Sequence, residues 1–490
     1  MAKKIAVIGS GFSGLSAAAY ASKEGHEVHL FEKNSEVGGR ARQFKTDNGY
    51  TFDMGPSWYW MHDIIEGFFN DFGQSASDFY TLVPLDPQFE MVFSDSTMNI
   101  PHNYEEMKAL FEETEAGAGK KLDEFMKDAQ YKYEVGMKDF VNKPCYSWFE
   151  FMSPKIAKSA FKLDLLTNFQ RFVRKYFTNP KLIVLMEFPV IFLGAAPKDI
   201  PALYSLMNYG GYKLGTWYPM GGFSKIIDAM KEVAEDHGTE FYLNADVQKI
   251  NVENKQVSSL TVNQEEIDFD VIIASSDYHH TESKLLPEEY RNYDEDYWEK
   301  RVFAPSCLIY YLGIKEKIPN LKHHTLFFEN DLELHTEEIY KDKKWPTKPL
   351  FYVCCPSKTD PSVAPEHGEN VFLLMPVAPG IEDTEEIRER YFMEMMLRLE
   401  KHTGASDLLL KIDYKKSYCV KDFQEDYNAY KGNAYGLANT LSQTAVLKPS
   451  LRNKKIKNLF YTGQLTVPGP GVPPSIISGK IAATEANKIN

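Results

Sequence analysis

The chain predicts an α/β (α+β) fold in which two lobes, each assembled from separated pieces of sequence, thread through one another. Three observations carry that prediction. A buried strand, a glycine-rich turn, a helix and a second strand open the chain. Pieces of the same character return near residue 215 and again near 425. The length, 490 residues, also exceeds what one hydrophobic core ordinarily organises.

Lys4–Ile8 (KIAVI) reads as a short buried strand. Gly9-Ser10-Gly11-Phe12-Ser13-Gly14 follows, then an alanine-rich helical run from Leu15 to about Gly25, and a second strand, Glu27–Phe31, ending at Glu32. Each part has a physical job. Gly9 makes the tight turn, Gly11 lets a pyrophosphate approach the backbone, and Gly14 lets helix pack on strand. The helix N-terminus supplies amide donors and partial positive charge, and Glu32, 18 residues after Gly14, can accept from a ribose hydroxyl. This order predicts a Rossmann-like dinucleotide site. After Glu32-Lys33 a second turn, Gly38-Gly39-Arg40-Ala41-Arg42, extends the pattern. A site for NAD alone, the alternative for this segment, has no need of it. Two arginines there suit another face of a pyrophosphate or the flavin end of a larger cofactor.

Tyr50–Asp53 reads as a strand tip, followed by the turn Met54-Gly55-Pro56-Ser57 and the aromatic run Trp58-Tyr59-Trp60-Met61. In the middle of the chain, Trp217–Phe223 opens an amphipathic helix, Ser224–Ala234. A strand at Thr239–Leu243, a meander from Val247 to Val262 and a buried strand, Val271–Ala274, lead to Ser276-Asp277. At the end, strand Asn458–Tyr461 passes through Thr462-Gly463-Gln464 into Val467–Ser475, dense in glycine and proline, and a helix from Ile476 to about Lys488. Such density usually marks a linker, but a linker does not stand between a buried strand and an apolar helix. The loop is expected to aim backbone amides at a ligand. Segments 1–70, 215–290 and 425–490 are therefore assigned to a nucleotide lobe, and 71–214 and 291–424 to a substrate lobe.

Composition narrows the partners. The net charge of −14 argues against nucleic acid, whose binding depends on neutralising phosphates. The five cysteines are scattered without a CxxC pair, and the histidines lack ligand spacing, so no metal is expected. The start runs directly into the first strand and no stretch reaches the roughly 18–20 apolar residues of a membrane span, which points to a cytoplasmic chain. One stretch departs from the acidic average. Lys143 to Leu182 carries eight basic residues against Glu150 and Asp164, interleaved with Trp148, Phe149, Phe151, Phe161, Phe169, Phe172, Tyr176 and Phe177. Basic and aromatic residues at helical spacing suit peripheral attachment to an anionic membrane surface; a core helix with a basic outer face is the alternative.

Glu32…Gly38-Gly39-Arg40, Trp217…Pro219-Met220-Gly221-Gly222, Ser276-Asp277, Gly463…Pro468-Gly469-Pro470-Gly471-Val472-Pro473 and Ser478-Gly479-Lys480-Ile481-Ala482-Ala483 together resemble the CrtI-type bacterial phytoene desaturases, over nearly the whole chain. Within the two-dinucleotide-binding-domain flavoproteins, this resemblance implies an FAD-binding lobe with a discontinuous substrate lobe of mixed sheet and helices. It implies FAD contacts at Gly9, Gly11, Phe12, Ser13, Gly14, Glu32, Lys33, Gly39, Arg40, Gly55, Pro56, Ser57, Gly463, Gly471, Val472 and Pro473. The residue matching Val247 takes the adenine side through its backbone, and the aromatics after Ser57 wall the reaction chamber. The implied reaction is desaturation of a long polyene, phytoene toward lycopene, with oxygen or a quinone as electron acceptor. Phe188–Phe192 and Leu193 are then expected to line the entry tunnel. Related desaturases of diapophytoene or hydroxylated carotenoids, a redox-neutral carotene isomerase and a non-catalytic carotenoid carrier remain alternatives. Glu150, an acid in an aromatic and basic setting, is the named candidate for proton acceptor, against a salt bridge to a neighbouring lysine.

Overall fold

The computed structural model describes residues 2–151, 163–164 and 167–489. Its opening follows the glycine pattern closely: β1 is Lys4–Ile8, α1 is Phe12–Lys23 and β2 is Glu27–Phe31. α1 begins three residues before the expected Leu15, because Gly11 serves as its cap and Phe12 to Gly14 already lie in its first turn.

β1 sits in the centre of a five-stranded, wholly parallel sheet. The order is Leu459–Tyr461, Val271–Ala274, β1, β2 and Thr239–Tyr242. Both faces are covered, which is why these strands read as unbroken apolar runs. Strand alternation divides them. Ile5, Val7, Val28, Leu30, Val271 and Ile273 pack against α1, Ser224–Asp236 and the final helix, Val472–Asn487. Ala6, Ile8, Phe31, Ile272 and Ala274 pack against a three-stranded antiparallel meander, Val247–Glu253, Gln256–Val262 and Glu265–Asp268. The final helix starts at Val472, four residues before the expected Ile476, because prolines are tolerated in a first turn where their missing N–H would have no partner.

A second, seven-stranded mixed sheet runs Ile412–Tyr418, Ser306–Ile314, Glu369–Val377, Phe351–Cys354, His324–Phe327, Phe89–Val92 and Thr97–Ile100. Its pairs are antiparallel except that of His324–Phe327 with Phe89–Val92. One face, with Leu308, Tyr310, Leu312, Phe351 and Val353, is covered by helix Glu385–Thr403 through Tyr391, Phe392, Met395, Met396 and Leu399. The opposite face, with Cys307, Ile309, Tyr352 and Leu374, meets the helices of the segment before residue 214. That second face forms a wall of the candidate site.

The basic, aromatic stretch resolves differently from the membrane reading where it is described. Phe169, Phe172 and Phe177 are core residues, while Arg171, Arg174 and Lys175 around them are exposed. Helical spacing puts the rings inward and the charges outward, so this part is a core helix with a basic face. Phe149 does face solvent, at 80% exposure. Lys155, Lys158, Lys162 and Phe161, on which the same reading drew, lie outside the described residues, as do the side chains of Trp148, Phe151 and Phe192. Among the described residues no helix is long and apolar enough to cross a membrane.

Candidate active site

A single cavity of about 760 Å³ joins the C-terminal end of the parallel sheet to the inner face of the mixed sheet. Gly9, Gly11, Phe12, Ser13, Glu32, Lys33, Gly39, Arg40, Gly55, Pro56, Ser57, Val247, Gly463, Gly471, Val472 and Pro473 all line it. Of the expected cofactor and catalytic residues Gly14 and Glu150 do not, and of the described tunnel residues Phe188, Pro189, Val190 and Ile191 do not, leaving Leu193. Gly14 lies behind the turn, where a Cβ would collide with the carbonyl oxygen of Gly9, so its work is the close packing of α1 on β1. Glu150 lies outside the lining, and its carboxylate accepts from the backbone N–H of Cys145 (3.1 Å) and Ser147 (2.9 Å). That acid pins its own loop, away from the cavity lining.

The nucleotide end is built around α1. No side chain caps its N-terminus, so the first-turn amides point to the cavity as donors. A Cβ on Gly11 would meet nothing within 4 Å, leaving the open approach that a pyrophosphate needs. Glu32 is 5% exposed and fully engaged: one oxygen accepts from Ser10 N (3.0 Å) and Ser10 Oγ (2.6 Å), the other from Asn34 N (3.0 Å) and Nδ2 (2.8 Å). Besides lining the cavity, it ties the glycine turn to the end of β2.

The two arginines of the second turn divide. Arg42 donates to Asp426 (2.9 Å) and is occupied there. Arg40 faces the cavity, half-buried, with its buried Nε lacking any hydrogen-bond partner and the centre of the Tyr427 ring 4.9 Å from its guanidinium carbon. Burial pulls its pKa down, and Asp277, the acid acting on it, is itself pushed up by burial. A half-buried cation with an unused donor is the group a phosphate oxygen completes. At the start of the final helix Pro473 and Pro474 carry no N–H, Ser475 N donates to Gly471 O (3.0 Å) and Gly463 N donates to Ser478 Oγ (3.0 Å), which leaves the Gly471 and Val472 amides to offer a ligand.

The other end of the cavity is apolar. Trp58, Trp60 and Met61 line it, as the aromatic run implied, with Leu193, Leu203 and Tyr204 facing them. Tyr59 turns away to pair with the Tyr80 hydroxyl (2.8 Å), and Phe188 packs behind Trp58 and Trp60. Behind Trp58, His324 stacks at 4.3 Å, and the Tyr352 hydroxyl joins His324 Nδ1 (2.7 Å) to Ser57 Oγ (3.0 Å). Burial drives His324 well below its ordinary pKa, so it is neutral. His323, His324 and Cys354 bring possible ligand atoms within 4.8 Å of one another. The Tyr352 hydroxyl, however, already engages both His324 and Cys354. The wall from Phe423 to Ala445, including Tyr427, Asn439 and Thr444, escaped the sequence reading, since nothing local distinguishes residues that reach the cavity only through tertiary packing.

These donors fit FAD: an uncapped helix N-terminus, a glycine without a neighbour, an unsatisfied guanidinium and an apolar continuation. Gly11, Phe12, Ser13 and Arg40 would hold its pyrophosphate, Val247 its adenine side, and Gly55–Ser57 with Val472 its ring.

Comparison with known proteins agrees. The profile described as flavin containing amine oxidoreductase matches residues 12–487. A carotenoid 3,4-desaturase of Haloarcula japonica is 39% identical over 98% of this chain and 97% of its own. A 4,4'-diapophytoene desaturase (4,4'-diaponeurosporene-forming) of Staphylococcus haemolyticus is 30% identical over 98% and 97%. Among solved structures, an oxidoreductase from Methanosarcina mazei (17% identity, 97% and 98% covered, TM-score 0.62) and a putrescine oxidase variant (12%, 98% and 98%, TM-score 0.63) share the fold. The chain therefore belongs to the flavin containing amine oxidoreductases, on their CrtI-type desaturase branch, and is an FAD-dependent oxidoreductase.

Proposed function

We propose that this enzyme desaturates an acyclic carotenoid, removing a hydride and a proton from neighbouring carbons of a polyene, phytoene toward lycopene. The observation that carries this reading is the continuity of one cavity from the α1 glycine turn to an apolar chamber walled by Trp58, Trp60 and Tyr352. Bound FAD supplies the hydride acceptor. The chain's own residues orient the polyene, exclude water and present aromatic faces to the allylic cation that hydride loss leaves. Among the described lining residues the carboxylates are Glu32, Asp246, Asp277 and Asp426, all from the nucleotide-side segments.

A second reading, favoured by the relatives' names, places the new double bond at position 3,4 of a more oxidised carotenoid or in a C30 chain. Product analysis decides. Phytoene, diapophytoene and a hydroxylated carotenoid are each supplied in liposomes to the flavin-loaded enzyme, with oxygen or with a quinone. Conjugation is expected to lengthen in the phytoene arm; lengthening confined to another arm moves the assignment to that substrate. Unchanged spectra in all arms, with conversion of prolycopene, would establish the isomerase alternative.

We also propose peripheral membrane attachment, supported by exposed Phe149, next in sequence to Glu150 whose carbonyl accepts from Lys143 Nζ, and by exposed Arg171, Arg174 and Lys175. Vesicles with anionic headgroups are expected to sediment the full chain, and Phe149→Ser to weaken this several-fold. Equal binding to uncharged vesicles and by the variant would remove this surface from consideration.

A further inference from the structure

The loop before the last strand carries two buried polar atoms without a partner among the described residues. Lys448 is 4% exposed and its Nζ makes no hydrogen bond; Asn439 is 3% exposed and its Oδ1 makes none. Both face one point. A Cβ built on Gly469 would lie 3.3 Å from Lys448 Nζ and 3.1 Å from Asn439 Oδ1. Gly469 and Asn439 line the cavity, and Lys448 stands behind Gly469, which lacks the side chain that would screen it. The main chain holds both positions independently of these polar heads: Asn439 N–H donates to Leu193 O (2.9 Å), and Lys448 N–H to Ala445 O (3.1 Å).

Among the described residues no carboxylate pairs with Lys448. Burial brings its pKa down to about 7, and the group that opposes this shift is the Cys145 thiol, which burial pushes up to about 12 and so keeps neutral. Charged or neutral, the amine keeps N–H donors. Native proteins seldom leave a buried donor and a buried acceptor unpaired side by side unless a ligand or water completes them.

We propose that Lys448 and Asn439 form a donor–acceptor pair that recognises the imide edge of the flavin ring, where a carbonyl, an N–H and a second carbonyl follow one another. Lys448 donates to a carbonyl, and Asn439 Oδ1 accepts from the N–H beside it. The ADP half of the cofactor has no imide and makes neither bond. This inference rests on the flavin reading of the cavity.

The test strips flavin from the full chain and titrates it back with FAD, with ADP, and with FAD methylated at ring N3. Wild type is compared with Lys448→Met and Asn439→Leu, using flavin fluorescence and calorimetry. FAD affinity is expected to fall at least tenfold in each variant, while ADP affinity, which also reports that the variants fold, moves less than twofold. N3-methyl-FAD is expected to bind wild type at least tenfold more weakly than FAD, a measurement that needs no variant. FAD affinities within twofold across all three proteins, or equal binding of N3-methyl-FAD and FAD by wild type, would overturn the pair. Wild type that binds ADP but not FAD would overturn the flavin reading itself.

Discussion

With alanine at position 14 the chain is expected to yield little soluble protein, and what remains is expected to lack flavin absorbance. The Cβ of Gly14→Ala would overlap the Gly9 carbonyl oxygen and approach Ser275 Oγ at 3.1 Å. That carbonyl has nowhere to retreat, because Gly9 holds φ at +95° and its N–H donates to Phe31 O (2.8 Å), fastening the turn to β2. Nor can α1 slide outward. On its other side the final helix approaches so closely that a Cβ on Gly479 would strike the Ser13 carbonyl. Backbone against backbone on both sides puts the cost at the upper end of overpacking, about 3–5 kcal/mol, a large share of an ordinary domain's 5–15 kcal/mol. Gly11→Ala is the control. Its Cβ meets nothing within 4 Å and its φ is −68°, so the variant is expected to fold with an unchanged melting temperature and to bind FAD poorly. Soluble yield and the ratio of flavin to protein absorbance separate the two outcomes. Normal flavin content in Gly14→Ala would mean that the turn relaxes.

The contrast between these two glycines shows what the sequence could carry. Gly9, Gly11 and Gly14 had distinct roles legible from spacing alone, because strand, turn and helix are local and their geometry leaves few choices. The strands Lys4–Ile8, Glu27–Phe31 and Val271–Ala274 were legible for the same reason: a parallel sheet covered on both faces demands continuous apolar runs. Roles set by partners distant in sequence were not. Arg40 and Arg42 are two residues apart in one turn, yet Asp426 captures one and leaves the other to the cavity. Phe169, Phe172 and Phe177 among basic residues read as a membrane face, with a core face as the alternative, and the packing of Phe125 against Phe172 and of Phe111 against Phe177 places the latter two rings in the core. Glu150 stood out by composition, and its use in bonding the Cys145 and Ser147 amides depends on a loop conformation no periodicity encodes. Lys448 and Asn439 carry no motif; only their burial without partners singles them out.

Arg40→Met is expected to keep the fold and lose most of the stabilisation that FAD brings. Without ligand, Arg40 is a half-buried cation with Nε unused, held by Asn433 O (3.2 Å), by the Gln464 side-chain oxygen (3.1 Å) and by the Tyr427 ring. Such a charge costs desolvation energy and recovers little of it, so an apolar side chain of similar length is tolerated. Asp277 does not become stranded, because its oxygens accept from His280 N (3.1 Å) and Tyr430 N (3.3 Å). The flavin-free variant should therefore melt within a few degrees of flavin-free wild type. With FAD the two part. A charge-assisted bond to a phosphate is worth about 1.5–3 kcal/mol, and losing it weakens binding roughly 10- to 150-fold. Ligand-linked stability follows RT ln(1 + [L]/Kd), so a hundredfold weaker site forfeits about 2.7 kcal/mol at saturating FAD. Arg40→Lys restores charge without the planar fork and should fall between the two. Because the site is buried, added salt should leave the ranking unchanged, unlike a surface ion pair. Melting curves with and without FAD, at low and high salt, measure every part of this. An FAD-induced shift in Arg40→Met equal to that of wild type would show that the unused donor at this turn serves no phosphate.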